Sequence, residues 1–334
     1  MVLIFQKNKF DVTILESIKQ KSFSQETFEN EEKGYKIFLK WLSKQSKIKR
    51  DEWLFCGEHT GLYSRGLSNF LFKKNLNIWL ENPLQIKCCS GIKRAKTDRI
   101  DSQEIARYAM RYIDKFTAYK PANKEVEALR LLSSYRNRLV KMKVMLEVSA
   151  KEMRRVISHN ETSRLIFDDS NREIERIKKR IDAIENKMHK TIITSELKRN
   201  YLLINSIKGV EIITAVSMII HTNNFTSFEN ERQLACYCGC APFPNESGTM
   251  KKGDRISRLA NNELKVLLTQ CARSAAQYNP ELQAYFQRKI AEGKSHRLVI
   301  NNIRNKLIQR IFAIIKSGIP YMENYLNPFT NTAA

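Results

Sequence analysis

The sequence predicts an α/β domain followed by a mainly helical remainder, and three observations carry that prediction. Up to about residue 120, short strand-forming runs alternate with helical patterns, the order that builds an α/β layer. Across residues 121–199, apolar side chains fall at three- and four-residue spacing over two long stretches, as in paired helices. From 200 to 334 helical patterns return, interrupted by one stretch rich in Pro and Gly.

In the first stretch, residues 10–15 (Phe10, Asp11, Val12, Thr13, Ile14, Leu15) have strand propensity and partial alternation. Asn30 is placed to cap an amphipathic helix carrying Tyr35, Phe38, Leu39 and Leu42. Residues 53–56 read as a second strand, 63–74 as a helix, and 76–80 as a third strand closed by Asn82 and Pro83. Thr97 is a good N-cap for a helix that reaches Tyr112, and Pro121 closes the domain.

The middle segment changes character. Leu132, Tyr135, Leu139, Met142, Leu146, Ser149, Met153 and Val156 form a heptad seam with one polar member. After a break over 159–169, Ser170 and Glu173 match a capping box, and Ile174, Ile177, Ile181, Ile184 and Met188 repeat the spacing. Two such helices make either an antiparallel hairpin or a pair of partner-binding arms. Lys and Arg crowd the surface between the apolar positions, so dimerisation and nucleic-acid contact are both open.

In the third stretch, residues 203–210 and a helix over 212–220 match a helix-hairpin-helix, whose glycine turn can offer backbone N–H groups to phosphate. Glu211 stands where a second turn glycine would be, so a plain helical turn is an equal reading. A loop from Ala241 to Thr249 contains Ser247, and a basic loop with Lys251, Lys252, Arg255 and Arg258 follows it. Helices then run to Lys316, with Lys294, Arg297, Arg304, Lys306 and Arg310 along them.

Charge narrows the partners. The 334 residues include 58 Lys and Arg against 35 Asp and Glu, a formal charge of +23 that favours a polyanion, nucleic acid first. No apolar run approaches the roughly 20 residues that span a bilayer, and no basic-then-apolar leader is present. Seven cysteines, an odd number, form no disulfide framework and suit a reducing cytoplasm. Cys236, Cys238 and Cys240 lack the spacing of a zinc site and read as small packing residues.

Three acids stand out. Asp98 and Asp101 lie three residues apart on the first turn of their helix, where carboxylates ordinarily complement the helix dipole. Glu58 follows the apolar run over 53–56, where a buried strand would end. An acid at a strand end facing two at a helix start is a layout that holds a divalent metal for phosphoryl transfer. Ser247 is either a turn residue or, beside a basic loop, a nucleophile whose target phosphate is already held.

These residues together carry a resemblance. Glu58-His59-Thr60-Gly61, Asn82-Pro83, Lys96-Thr97-Asp98-Arg99-Ile100-Asp101, Ala106-Arg107-Tyr108-Ala109, Ala241-Pro242, Ser247-Gly248, Gly253, Ile256-Ser257 and Gly293-Lys294 occur in the order found in the DEDD transposases of the insertion-sequence one-ten family and related DNA invertases, over nearly the whole chain. The resemblance implies a RuvC-like, RNase H-type domain over 1–120, a coiled-coil insertion over 121–199, and a helical transposase domain over 200–334. It implies a four-acid site for Mg²⁺ or Mn²⁺ with Glu58, Asp98 and Asp101 as its second to fourth members, and Ser247 as the serine that joins covalently to DNA, with Ser257 as a fallback. Lys251, Lys252, Arg255, Arg258 and Lys294 are the expected nucleic-acid contacts. DNA, a structured non-coding guide RNA and further copies of the chain, as dimer or tetramer, are the implied partners of a bacterial, nucleoid-associated protein.

One position departs from the family. The first acid normally ends a strand reading Gly-Ile-Asp-Val-Ser-Lys, and aligning Lys7 and Asp11 on that pattern puts Ile4 where the Asp stands. Residues 2–6 contain no acid, and Asp11 is not a replacement by that alignment. Two other readings therefore stand beside the recombinase: a metal-dependent nuclease or junction resolvase, and a nucleic-acid-binding remnant without catalysis.

Overall fold

The computed structural model describes residues 1–16, 24–46, 48–89, 97–157, 160–247, 250–256 and 259–322, with the backbone alone at 98–99, 244–247 and 250–255. The chain divides into two compact units, Met1–Pro121 and Ala122–Ala334.

In the first unit the elements run β1 (Val2–Phe5), β2 (Lys9–Ile14), β3 (Ser24–Glu29), α1 (Glu32–Gln45), β4 (Leu54–Glu58), α2 (Leu62–Lys73), β5 (Asn77–Glu81), α3 (Pro83–Cys89) and α4 (Asp98–Arg111). They build one five-stranded sheet in the order β3-β2-β1-β4-β5. The first three strands form an antiparallel meander, and β4 and β5 continue it in parallel from β1.

Strand alternation assigns the two faces. Leu3, Phe5, Phe10, Val12, Phe55 and Ile78 project to one side, where they pack with Tyr35, Phe38 and Leu42 of α1 and Leu67 and Leu71 of α2. Val2, Cys56 and Trp79 project to the other and meet Ile105, Ala106, Tyr108 and Ala109 of α4. The sheet is thus covered by helices on both sides, which explains why β4 reads as a continuous apolar run.

Five strands replace the three expected. β1 is only four residues long, and β3 is a polar edge strand whose one buried residue is Phe28, so neither has the apolar run that marks an interior strand. Glu31, not Asn30, occupies the cap position of α1. The Asn30 amide donates instead to the carbonyls of Gln6 and Tyr63, and its oxygen accepts from the Tyr35 hydroxyl. Asn82 and Pro83 do end β5, but Pro83 also opens α3, with Asn82 Oδ1 accepting from Leu84 N–H at 3.0 Å.

The second unit opens with two 33-residue helices, α5 (Lys124–Val156) and α6 (Glu161–Ile193), packed as an antiparallel hairpin. Arg136 meets Glu185 at 2.6 Å, Arg180 meets Tyr135, and Arg154 lies 5.2 Å from the centre of the Phe167 ring. Leu139, Ile177 and Ile181 form the buried seam between them. The expected cap at Ser170 and Glu173 is incorrect: α6 is capped ten residues earlier, with a capping box in which Asn160 Oδ1 accepts from Ser163 N–H at 2.8 Å and Ser163 Oγ accepts from Asn160 N–H at 3.0 Å. The seam also shifts, because Ala150 is buried where Ser149 was expected and Val156 is 85% exposed. A straight helix drifts relative to a strict heptad, which moves the buried stripe by one residue over several turns.

Then follow α7 (Lys198–Asn205), α8 (Ile212–His221), α9 (Glu231–Tyr237), β6 (Pro242–Ser247), β7 (Met250–Ile256), α10 (Asn262–Tyr278), α11 (Pro280–Ala291) and α12 (His296–Ser317). The apolar α8 is buried along its length from Thr214 to Ile220, and with α7, α10 and α12 it forms the unit's main core. The serine loop and the basic loop of the sequence reading are two strands of one antiparallel hairpin, β6 with β7. Arg304, one of the basic residues along these helices, is buried and donates to Thr269 Oγ1 at 3.2 Å and Asn301 Oδ1 at 2.6 Å. Asn301 and Asn305 each donate to the Cys240 carbonyl at 3.0 Å, so α12 pins the root of that hairpin.

Candidate functional site

Glu58 is the last residue of β4 and pairs in parallel register with Glu81, the last residue of β5. Each stands two residues beyond a member of the apolar cluster under α4, Cys56 and Trp79, so both carboxylates belong to the face that α4 covers. This is the carboxyl end of the parallel strands β1, β4 and β5, and ligands of open α/β sheets gather at that end.

Asp98 is the first residue of α4, and Thr97 caps the helix, its Oγ1 accepting from Ile100 N–H at 3.2 Å. Asp101, half-buried, lies four residues before Ile105 and hence on the helix face turned to the sheet. Next to it the Ser102 hydroxyl meets Thr13 Oγ1 at 2.7 Å and the Gln25 amide at 3.0 Å, which anchors the first turn of α4 over β2 and β3. At the other end of α4, the Tyr108 hydroxyl donates to Glu81 Oε2 at 3.0 Å. Burial first, and then the Glu81 carboxylate, raise the Tyr108 phenol above its ordinary pKa.

Two acids escaped the sequence reading. Glu81 has the same signal as Glu58, a carboxylate that ends an apolar strand. Asp11 was set aside by alignment, yet the antiparallel pairing of β1 and β2 places it directly opposite Ile4.

In the second unit Ser247 is the last residue of β6 and pairs with Met250. Lys251 pairs with Glu246, Lys252 with Asn245, and Arg255 with Phe243. One hairpin therefore carries the candidate nucleophile and three of the expected phosphate contacts. Arg258 lies outside the described residues, and Lys294 is exposed after α11, its N–H donating to the Lys289 carbonyl at 3.1 Å. The glycine turn between α7 and α8 exists, with Gly209 at φ +89°, where a side chain would be strained. Glu211 occupies the cap position of α8 at the rim of a cleft of about 740 Å³ that Arg136, Lys141, Thr214 and Ser274 also line.

Comparison with known proteins separates this layout from other mixed sheets. A profile of the IS110-type DEDD transposases, described as a transposase, matches residues 5–158, and one described as the transposase IS116/IS110/IS902 family matches residues 201–287. The chain belongs to the IS110 family of transposases. It is 25% identical to the pilin gene-inverting protein of Moraxella bovis over 325 residues, 94% of this chain and 95% of that protein. The corresponding protein of Moraxella lacunata matches equally, at 25% over 325 residues. An insertion element IS110 uncharacterized 43.6 kDa protein of Streptomyces coelicolor is 29% identical over 119 residues, 36% of this chain and 29% of the length of that relative.

An IS110-family transposase raises the question of metal. Among the described residues no three carboxylate, imidazole or thiol groups converge closely enough to hold an ion, and the Asp98 side chain is not among them. The donor chemistry of the α4 face nevertheless fits the group, since Glu58 and Asp101 are oxygen donors and the Cys56 thiol on that face is buried and pushed up to about 12 by burial. Hard carboxylate oxygens suit Mg²⁺ or Mn²⁺.

Proposed function

We propose that the chain is a DNA recombinase of the insertion-sequence type, which cleaves and rejoins strands through Ser247 with the help of metal-binding acids at Glu58, Asp98 and Asp101. The observation that carries this reading is the shared face of Glu58 and the first turn of α4, at the carboxyl end of the parallel strands. The mixed sheet with helices on both sides supports a RuvC-like, RNase H-type domain over 1–120. The α5–α6 hairpin supports a coiled-coil insertion, followed by a transposase domain from about 200 onward.

Glu58, Asp98 and Asp101 would hold Mg²⁺ or Mn²⁺, which when bound supplies Lewis-acid polarisation of the scissile phosphate. Ser247 Oγ attacks phosphorus, and a serine–phosphate ester forms as the bond to the leaving deoxyribose oxygen breaks. That oxygen takes up a proton, and the bond energy is stored in the ester, so rejoining needs no external energy source. Lys251, Lys252, Arg255 and Arg258, with Lys294, hold the phosphate backbone, which contributes affinity but little sequence choice. Sequence choice by a guide RNA accords with their phosphate-binding chemistry. Apolar side chains that α5 leaves in solvent, among them Met142, Met145 and Val148, support the homo-oligomer. Among the described residues no helix is long and apolar enough to cross a membrane.

The test is a denaturing gel for a covalent protein–DNA adduct, with Mg²⁺, DNA from the element's ends and its flanking RNA. The wild-type chain is expected to form the adduct, and Ser247→Ala and Asp98→Ala to lose it. DNA cleavage without adduct would replace this reading with a hydrolytic nuclease. An adduct that survives Ser247→Ala would move the nucleophile elsewhere.

A further inference from the structure

We propose that Asp11 supplies the carboxylate that Ile4 lacks, so that this chain's metal ligands are Asp11, Glu58, Asp98 and Asp101. The inference rests on the metal-assisted reading above and concerns which side chain completes it.

The sheet register carries the argument. Ile4 and Asp11 are directly opposed on the antiparallel strands β1 and β2. Opposed residues project to the same face, with Cβ atoms roughly 5 Å apart. That face is the one α4 covers: Phe10 and Val12 pack on the far side of the sheet, so Asp11 between them points with Thr13 toward Ser102. On the other side of β1, Leu3 pairs with Gly57, which sets Glu58 one residue further along, beside Ile4. A single row across the sheet therefore runs Asp11, Ile4, Glu58, with Ile4 packed into the apolar cluster beneath α4.

Asp101 of α4 lies toward the Asp11 side of that row. Ser102 fixes the first turn of α4 to Thr13, two residues along the same strand, and Asp101 immediately precedes it. A cleft of about 310 Å³ lies between these elements, lined by Asp11, Thr13, Gln25, Thr27 and Ser102, with Lys9 at its edge. The Asp11 carboxylate is oriented by the Thr27 hydroxyl, which donates to Oδ1 at 2.6 Å, and more weakly by the Gln6 amide at 3.4 Å from Oδ2. An ionised carboxylate has about four acceptor positions, so these two donors leave capacity for a cation. Two strand spacings of roughly 4.8 Å separate Asp11 from Glu58, a span that an aspartate, a glutamate and two metal–oxygen bonds of about 2.1 Å can bridge. Without the cation, like charges hold such carboxylates apart. Two other acids compete: Glu26, which lines the same cleft and accepts from Thr27 N–H at 3.1 Å, and Glu81, whose carboxylate Tyr108 O–H and Asn82 N–H already occupy.

The test is Mn²⁺ binding to the full chain, read by the electron paramagnetic resonance signal of the free ion, in the absence of DNA. Four variants are compared with wild type: Asp11→Asn, Glu58→Gln, Ile4→Asp, and Ile4→Asp combined with Asp11→Asn. Asn at position 11 can still accept from Thr27, and circular dichroism melting confirms that each variant folds. Asp11→Asn is expected to weaken Mn²⁺ binding on the order of 10- to 100-fold, as Glu58→Gln does. In the Ile4→Asp background the same change should cost little, because the new Asp takes over. If Asp11→Asn binds Mn²⁺ like wild type while Glu58→Gln does not, Asp11 is no ligand and the metal reading stands. The proposal also falls if wild type binds nothing and Ile4→Asp binds. Loss of binding in every chain, Ile4→Asp included, would overturn the metal reading itself.

Discussion

Glu263, in the first turn of α10, faces His221 at 3.6 Å and accepts from the Asn137 amide at 3.1 Å. The hydrogen bond with His221, and then that with Asn137, hold its carboxyl below the usual carboxylate range against an opposing contribution from burial. A depressed folded pKa means that the fold favours the ionised form. Its stabilisation is present above the unfolded pKa of about 4.3 and is lost as pH falls through the lower folded value. Melting temperatures of wild type and Glu263→Gln should therefore differ near neutral pH and converge below about pH 4, as a pH series of melts would record. A gap that persists into acid would assign the effect to packing. The same scale shows what was legible. The placement of Glu58 at the end of β4 and of Asp98 and Asp101 in the first turn of α4 was readable, because local sequence marks those element ends. The partnership of Asp11 with Ile4 was not, because it depends on where the chain turns between Phe5 and Phe10, and a shift of one residue would send Asp11 to the opposite face.

Single elements follow the same logic. Gly34 lies in the first turn of α1, where Gly→Ala ordinarily stabilises a helix by about 1 kcal/mol. Here a Cβ would stand 2.1 Å from the Glu29 carbonyl oxygen and 2.9 Å from its carbon, backbone atoms at the end of β3. Neither can turn aside as a side chain can, so the helix would have to lift from the strand. The expected sign is reversed: Gly34→Ala should destabilise by about 1–3 kcal/mol, read as a lower urea midpoint at unchanged slope. A raised midpoint would mean that α1 and β3 are not packed this closely. Close approach of this kind is invisible to periodicity, which located α1 and the buried faces of α1 and α6. Periodicity also missed β3, because an edge strand with Phe28 as its one buried residue leaves no apolar run to read.

For the molecule as a whole, the cores are separable. The two apolar clusters about the five-stranded sheet draw on residues between Leu3 and Ile78 and between Val2 and Ala109 for their buried members, all before Pro121. The cluster centred on α8, from Val126 to Ile314, and the hairpin seam at Leu139, Ile177 and Ile181 belong wholly to the unit that starts at Ala122. A unit with its own core has what independent folding requires, since burial of apolar area is the dominant favourable contribution to stability. Residues 1–121 and 122–334, expressed separately, should each melt cooperatively, the second with a strongly helical circular dichroism spectrum. Because the β6–β7 hairpin with Lys251, Lys252 and Arg255 lies in the second, that fragment should also retain salt-dependent DNA affinity, each neutralised phosphate adding about 0.9 to the slope of log affinity against log salt. Cooperative folding without that affinity would move the DNA contacts to the first unit or to a surface that needs both. A second fragment that fails to fold would show that the core around α8 depends on residues before Ala122.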